Sequence, residues 1–378
     1  MIPLATLIRR VPALALVWAG VLAGCGHGTY TTKAIGEAEQ RMKEIKSATE
    51  WDLAQQRFEA GDLESAIQSV DRSIALNPDV AKSHLLRGRI LHEMGRPEDA
   101  LAALETGRKL DEKNADFLYY RGVILESVGQ EERALEAYTA AAALAPDEIR
   151  HTLAAAEVLV QQERISEARA LLGAQLEKFE FSPGVHQLLG HICMLENDPS
   201  AAAEHFRQAS VLGVESPAIL EDLARAEIAA SRFADADATL ARLTRLKGYE
   251  TRRDLQHMRA RCLIELRRPV EARQILTGLT KGAEGASDVE AWARLADIAV
   301  MIGDDRQLRA AAQRLIAVAP DRYEGYLALA VWQRKSGDLA AALRSAERAA
   351  ELAPSERAPL QLKDLLTRQL RGGQAAGI

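Results

Sequence analysis

Small and apolar residues recur among polar ones along this chain at a constant interval. Residues 81–114 and 115–148 align without a gap, and both carry Arg-Gly at positions 7 and 8, glycine at position 15 and Ala-Leu at positions 20 and 21. Nine such units begin at residues 47, 81, 115, 149, 183, 217, 253, 289 and 323, with two residues inserted before each of the units at 253 and 289. Position 20 is alanine in eight of the nine units and position 8 is always alanine or glycine. The pattern therefore predicts two closely packed helices per unit, separated near position 15.

A single helix pair cannot bury its apolar face alone, so the pairs must stack on one another. The sequence predicts an all-α fold, an α-solenoid of about nine helix pairs closed by a C-terminal capping helix. Residues 47–252 would hold repeats 1–6, residues 253–356 repeats 7–9, and residues 357–378 the capping helix and tail. Residues 25–46 are predicted to be a tether and N-terminal helix, in which residues 33–46 either extend the first repeat helix or belong to the tether.

The repeated marks resemble those of the tetratricopeptide repeat family, with about nine copies over residues 47–356. The resemblance implies a right-handed superhelix whose concave groove is lined by the first helix of each repeat. It also implies that positions 2, 5, 9, 12 and 13 tend to face this groove and that the partner is a peptide or a protein. Some family members bind a C-terminal carboxylate through lysine at position 5 and asparagine at position 9. No repeat here has that pair, so this type of clamp is not predicted.

Two stretches of the expected groove differ in character. The first has apolar side chains at position 5 of four successive repeats and a phenylalanine at position 12, and exposed apolar stripes often mark binding sites. Its candidate partner-binding residues are Trp51, Phe58, Leu85, Tyr119 and Leu153. Alternatively, Trp51 packs into the core or residues 33–46 cover the stripe. The second stretch is basic, and its candidate partner-binding residues are Arg225, His257 and Arg261.

The N-terminus carries a short apolar run. Residues 11–24 hold no charge and follow two arginines. Because a helix of that length is too short to cross a bilayer, this pattern indicates that residues 1–24 are a signal peptide. Leu22-Ala23-Gly24-Cys25 resembles the lipobox of bacterial lipoproteins, which implies a lipid on Cys25. Glycine rather than aspartate follows it, which by resemblance to enterobacterial sorting implies the outer membrane, facing the periplasm. The alternative is an ordinary signal peptide with an incidental cysteine.

Charge and cysteine usage narrow the function classes. Without residues 1–24 the net charge is −8, which argues against nucleic acid as a partner. Ten basic and four acidic residues lie between Arg242 and Arg273, as a solvated helix face or as a docking patch for an acidic partner or an anionic lipid. Cys193 and Cys262 lie two repeats apart, too far for a disulfide, so we expect two buried thiols.

The sequence offers no catalytic constellation. It lacks a phosphate loop, a nucleophile elbow and a zinc-protease signature, and the spacing of His186 and His191 is poor for one helical face. We therefore expect no enzyme activity, no cofactor, no metal and no small-molecule substrate. The predicted function is a lipid-anchored periplasmic scaffold or adaptor that binds extended peptides or partner proteins during envelope assembly. Alternatives are a regulator or adaptor of an envelope hydrolase or of a polysaccharide or pilus export machine and, more remotely, an enzyme.

Overall fold

The computed structural model describes residues 29–213 and 216–375, and the regular structure in these ranges is entirely α-helical. The helices are α1 (Thr29–Glu59), α2 (Leu63–Leu76), α3 (Ala81–Glu93), α4 (Pro97–Leu110), α5 (Asp116–Ser127), α6 (Glu131–Leu144), α7 (Ile149–Gln161), α8 (Ile165–Gly173), α9 (Pro183–Leu195), α10 (Pro199–Leu212), α11 (Pro217–Ala229), α12 (Phe233–Leu243), α13 (Arg253–Glu265), α14 (Pro269–Leu279), α15 (Gly282–Ala286), α16 (Val289–Ile302), α17 (Asp305–Val318), α18 (Tyr323–Lys335), α19 (Leu339–Leu352) and α20 (Arg357–Ala375).

The predicted helix pairs are confirmed. From the second repeat onward, each first helix begins within one residue of its predicted start. The helices of each repeat are separated at position 15, where the backbone is left-handed in all nine repeats. Glycine holds five of these positions, and residues with side chains hold the other four with φ between 57° and 60°, namely Glu163, Asn197, Ser231 and Arg267. The reversal between paired helices therefore imposes this conformation even where no glycine is present to adopt it without strain.

The segment before the first repeat is helical and extends the first repeat helix. Residues 33–46 belong to α1, which runs without a break into the first repeat. Every residue of this segment is exposed, including Ile35, Met42 and Ile45. It therefore does not cover the predicted apolar stripe.

The described chain forms two compact units, unit 1 through Gln162 and unit 2 from Glu163. Unit 1 contains α1–α7 and unit 2 contains α8–α20. The division after residue 252 that the sequence suggested lies inside unit 2. No helix among residues 29–213 and 216–375 is both long and apolar enough to be a membrane span.

Small residues at position 8 allow the paired helices to approach each other. In unit 1, an ideal Cβ on Gly122 would lie 2.5 Å from Cε1 of Tyr138, and one on Gly88 would lie 2.7 Å from Cδ2 of Leu104. Both partners stand at position 24 of their repeats and are almost fully buried. The glycine thus leaves the space that the large side chain of the second helix fills.

Unit 2 ends as the sequence predicted. In α20, Leu362 and Leu366 pack against Ala330, Ala342 and Ala346 of the last repeat, so this helix covers the apolar end of the stack. The two thiols of this unit, Cys193 and Cys262, are free and fully buried, as expected. Burial raises the pKa of the Cys262 thiol to about 11.

Two histidines of unit 2 form a pair that should make its stability depend on pH. Nδ1 of His186 lies 3.2 Å from Nδ1 of His205, and Nε2 of His186 is hydrogen-bonded to the carbonyl oxygen of Glu180 at 2.9 Å. Burial, followed by the neighbouring His186 and Arg169, lowers the pKa of His205 from its usual 6.5. The folded chain therefore favours the neutral ring, while the unfolded chain takes up a proton near pH 6.5.

We expect the free energy of unfolding of unit 2 to fall as the pH decreases through 6.5 towards the lower pKa of the folded state. The measurement is urea unfolding at a series of pH values. His205→Gln should flatten this dependence, whereas His92→Gln, which removes an imidazole from unit 1, should not. An unchanged pH dependence in His205→Gln would contradict the role of this pair.

Candidate functional site

Four aromatic side chains lie half-buried on first helices of unit 1: Trp51 and Phe58 on α1, and Tyr119 and Tyr120 on α5. Trp51 and Phe58 pack against the buried group around Ala54, so each ring is supported by the core while part of it remains exposed. Part of the Trp51 ring therefore packs into the core, which was the alternative for this residue, and the rest lies at the surface.

A cationic side chain lies over each of these rings. Nζ of Lys82 is 3.9 Å from the ring centre of Trp51. The guanidinium carbon of Arg89 is 5.0 Å from the centre of Phe58 and 5.0 Å from that of Tyr120, and that of Arg150 is 5.2 Å from Tyr119. The predicted apolar stripe is therefore a mixed surface, here called the aromatic–cation face, which consists of Trp51, Phe58, Lys82, Arg89, Tyr119, Tyr120 and Arg150.

Each ring of this face lies slightly less than one repeat length away in the sequence from the cation that covers it. The reason is the way in which neighbouring first helices pack. A residue on one first helix contacts a residue of the next repeat that lies about one helical turn before the equivalent position in that repeat. Sequence reasoning missed Lys82, Arg89, Tyr120 and Arg150, because each repeat was considered by position alone. The constant spacing between aromatic and basic residues, just short of the repeat length, is the signal that would have found them.

The cations of this face differ in what else they bind. Arg150 forms ion pairs with Asp116 and, at 3.9 Å, with Glu148. Neither Arg89 nor Lys82 forms an ion pair with any residue in the described part of the chain. A guanidinium that stacks on two rings presents its flat surface to them and retains five N–H donors for other acceptors. Arg89 can therefore donate hydrogen bonds to a carboxylate from outside the chain.

Tyr119 is the centre of a ring cluster. Its ring centre lies 5.3 Å from Tyr120, 5.6 Å from Tyr138 and 5.2 Å from the buried His151. Tyr138 below it donates a hydrogen bond of 2.8 Å to Glu126. Burial, followed by the neighbouring Tyr120, raises the pKa of Tyr119, so this residue is a neutral, rigid aromatic contact at physiological pH.

The two leucines predicted with these rings are half-buried on the first helices α3 and α7. Leu85 packs against the buried group of Leu91 and Phe117, so part of its side chain belongs to the core. Leu153 lies on α7, in the turn that follows Arg150. Leu85 and Tyr120 pack against the same buried group, so Leu85 adds apolar area beside that ring.

The predicted basic stretch lies in unit 2 and is largely neutralised by carboxylates. Arg225 is ion-paired with Glu221 at 3.3 Å and with Asp222 at 3.5 Å. Nε2 of His257 lies 2.9 Å from Asp288. Carboxylates therefore offset the basic character of Arg225 and His257, and partner binding by Arg225, His257 and Arg261 stays a prediction. Of the three, only Arg261 is exposed without a described ion-pair partner.

The wider basic excess between residues 242 and 273 is paired in the same way. Five of its arginines form ion pairs, many of them with acids that lie outside this range in the sequence. The pairs are Arg252 with Glu221 and Asp254, Arg253 with Glu284 and Asp288, Arg259 with Asp237, Arg268 with Asp237 and Glu271, and Arg273 with Asp304. This arrangement favours the solvated, ion-paired surface over the docking patch.

The described residues contain no group of three or more His, Cys, Asp or Glu side chains placed to hold a metal ion. The candidate site in unit 1 is the aromatic–cation face, which consists of ring surfaces and three cations, of which Lys82 and Arg89 have no ion-pair partner in the described part of the chain.

Family models for the tetratricopeptide repeat match residues 57–119, 91–149 and 127–192. Human DnaJ homolog subfamily C member 7 is 27% identical over 119 residues, covering 31% of this chain and 24% of the relative. The chain therefore spans about a quarter of that relative's length. Among solved structures, PilF of Pseudomonas aeruginosa has 18% identity and a TM-score of 0.47, covering 55% of this chain and 96% of its own. PilW, a type IV pilus biogenesis factor, has 17% identity and a TM-score of 0.46, covering 54% of this chain and 97% of its own.

Proposed function

This chain is a tetratricopeptide-repeat protein, and on that premise we propose that it is a lipid-anchored periplasmic adaptor that holds an extended segment of a partner protein on its aromatic–cation face. The observation that carries the proposal is Arg89, stacked on Phe58 and Tyr120 at 5.0 Å from each ring and without a described carboxylate partner. An arginine in this position is suited to a ligand that brings both apolar surface and negative charge.

The chemistry of the face defines the partner segment. Aromatic rings that pack against the core on one side contribute apolar contact on the other at a low cost in conformational entropy. Lys82 and Arg89 add charge that steers an acidic segment towards the rings. The segment should therefore carry aspartate or glutamate, or a chain terminus, next to apolar side chains.

The lipid anchor is the second part of the proposal. Cys25 and the signal peptide before it lie outside the described residues, so the anchor rests on the lipobox-like sequence. Helix α1 begins at Thr29, shortly after Cys25, and a lipid there would hold unit 1 close to the membrane surface. The glycine after Cys25 supports the outer membrane. The net charge of −8 without residues 1–24 argues against nucleic acid and so favours a protein partner. The proposed role of this adaptor is in the assembly of the envelope.

Substitution of Cys25 tests the anchor. Cys25→Ser should leave the precursor uncleaved and abolish the labelling of the chain by radioactive palmitate, because the lipid is attached to the thiol. Cys193→Ala, which removes a buried thiol, should retain both cleavage and label. Normal cleavage with no lipid in the unsubstituted chain would contradict the anchor and the membrane location.

Capture from detergent-solubilised membranes tests the adaptor. The tagged chain should retain a partner at low salt and lose most of it at high salt, because exposed cations act through a screened attraction. The same partner should be lost from the Arg89→Glu chain at both salt concentrations. Equal recovery with and without Arg89 would place the partner on another surface.

A further inference from the structure

The part of α1 that precedes the first repeat, residues 33–46, carries apolar side chains that no other described residue covers. Ile35, Ala38, Met42 and Ile45 recur at intervals of three or four residues, so they lie on one side of the helix. The exposed fraction is 43% for Ile35, 52% for Met42 and 61% for Ile45. These four residues are here called the N-terminal stripe.

The N-terminal stripe faces away from the repeats. The side of α1 that packs into the first repeat includes Ser47 and Ala54, which are 2% and 0% exposed. At about 100° of rotation per residue, these two residues lie roughly 140–160° around the helix from the middle of the stripe. A broad, flat surface can therefore reach the stripe without meeting the repeats.

Basic side chains flank the N-terminal stripe. By the same rotation per residue, Lys46 and Lys43 lie along one edge of the stripe and Arg41 along the other, while Glu37 and Glu44 lie on the opposite side of the helix. None of the three bases forms an ion pair with a residue in the described part of the chain. An apolar face edged by unpaired cations is suited to an anionic phospholipid surface.

The same charges disfavour a second copy of this helix as the cover of the stripe. The spacing of the stripe would suit a two-stranded coiled coil. In a parallel pair, however, Arg41 of one copy would lie beside Lys46 of the other. In an antiparallel pair, Arg41 would meet Arg41 and Glu39 would meet Glu39. Like charges beside the seam oppose either pairing.

We propose that the N-terminal stripe lies on an anionic phospholipid surface, with its apolar side chains among the headgroups and the flanking bases at the lipid phosphates. The inference rests on the proposed anchor, because so short an apolar face binds a membrane weakly unless it is held nearby. A lipid on Cys25, shortly before α1, would hold it there. Contact along the stripe would fix the direction of α1, so the membrane would orient the aromatic–cation face of unit 1 as well as retain it.

Electron paramagnetic resonance on vesicles tests the proposal. The chain from residue 25 onward, made without its lipid, is joined through Cys25 to a maleimide lipid in vesicles of phosphatidylethanolamine and phosphatidylglycerol. Cys193 and Cys262 are fully buried and should not compete for the maleimide. A nitroxide on p-acetylphenylalanine at residue 42 should prefer oxygen to a water-soluble nickel chelate as collision partner several-fold more than the same label at residue 44. Because the experiment supplies the tether, its outcome does not depend on lipidation in the cell, which Cys25→Ser tests separately.

Two exposed positions offer matched variants. Ile45→Asp places an acid within the stripe and should abolish the oxygen preference at residue 42, whereas Gln40→Asp places the same acid on the opposite side and should retain it. Phosphatidylcholine in place of phosphatidylglycerol should reduce the preference, since the bases lose their anionic partners. Equal preferences at residues 42 and 44 would overturn the proposal. Few collisions with either reagent at residue 42 would also overturn it, because a protein surface would then cover the stripe.

Discussion

Replacement of Gly122 by leucine is expected to destabilise unit 1 by roughly 3 kcal/mol, because it overfills the seam between two paired helices. The first added atom alone would lie 2.5 Å from Cε1 of Tyr138, 2.6 Å from Cδ1 and 2.9 Å from Cζ. Tyr138 cannot simply swing away, since it is 2% exposed and its hydroxyl donates to Glu126. The urea midpoint of unit 1 should fall accordingly, as followed by the fluorescence of Trp51 in a chain whose other tryptophans, Trp18, Trp292 and Trp332, are replaced by phenylalanine.

Gly36→Leu is the matched control. Gly36 lies in the exposed extension of α1, and no atom lies within 4 Å of an ideal Cβ there. The substitution should be neutral or slightly stabilising, because leucine favours the helix more than glycine does by about 0.5–1 kcal/mol. Equal losses at both positions would argue against the close approach at position 8 as the basis of the repeat.

Substitution of Arg89 should have the largest effect on partner binding. Arg89→Glu replaces an unpaired cation by an anion between two rings, and we expect the affinity for the partner segment to fall by at least about tenfold, or ~1.4 kcal/mol. The loss should be greater at low salt than at high salt. Arg121→Glu is the matched control. It makes the same charge change at an arginine of α5 that interacts electrostatically with Glu105, and it should have little effect on the affinity.

Tyr119→Ala separates the apolar contribution from the charge. The loss of a rigid ring should weaken binding by about 1–3 kcal/mol with little dependence on salt. A large effect of salt on this variant would mean that Arg150, which lies over the ring at 5.2 Å, is the true contact. Unchanged affinity in both Arg89→Glu and Tyr119→Ala would exclude the face as the binding surface.

The helices of this protein could be predicted because their signals are local and repeated. From the second repeat onward, alanine at position 20, a small residue at position 8 and the break at position 15 locate each pair to within about one residue. The left-handed residues at Glu163, Asn197, Ser231 and Arg267 show that the period, rather than the residue type, specifies the turn. A search for glycine alone would have missed four of the nine reversals.

The surface could be predicted only in part, because its character depends on contacts between repeats. Trp51 and Tyr119 were identified, but the cations over them, Lys82 and Arg150, come from the next repeat. The same spacing joins acids to bases in unit 2, where Asp288 meets His257 and Glu221 meets Arg252. A count of charges within one stretch of sequence therefore shows the excess of bases but not the acids that the fold brings to them.

Site-specific photocrosslinking in cells tests the central claim most directly. Val123 lies on α5 at position 9 and is partly exposed, so p-benzoylphenylalanine placed there would adjoin a partner bound to the aromatic–cation face. The same probe at the exposed Thr139 of α6 reports on the opposite helix of the repeat. The account predicts a covalent adduct from residue 123 that disappears with Arg89→Glu, and none from residue 139. Adducts of equal yield from both positions, or an adduct at 123 that survives Arg89→Glu, would contradict it.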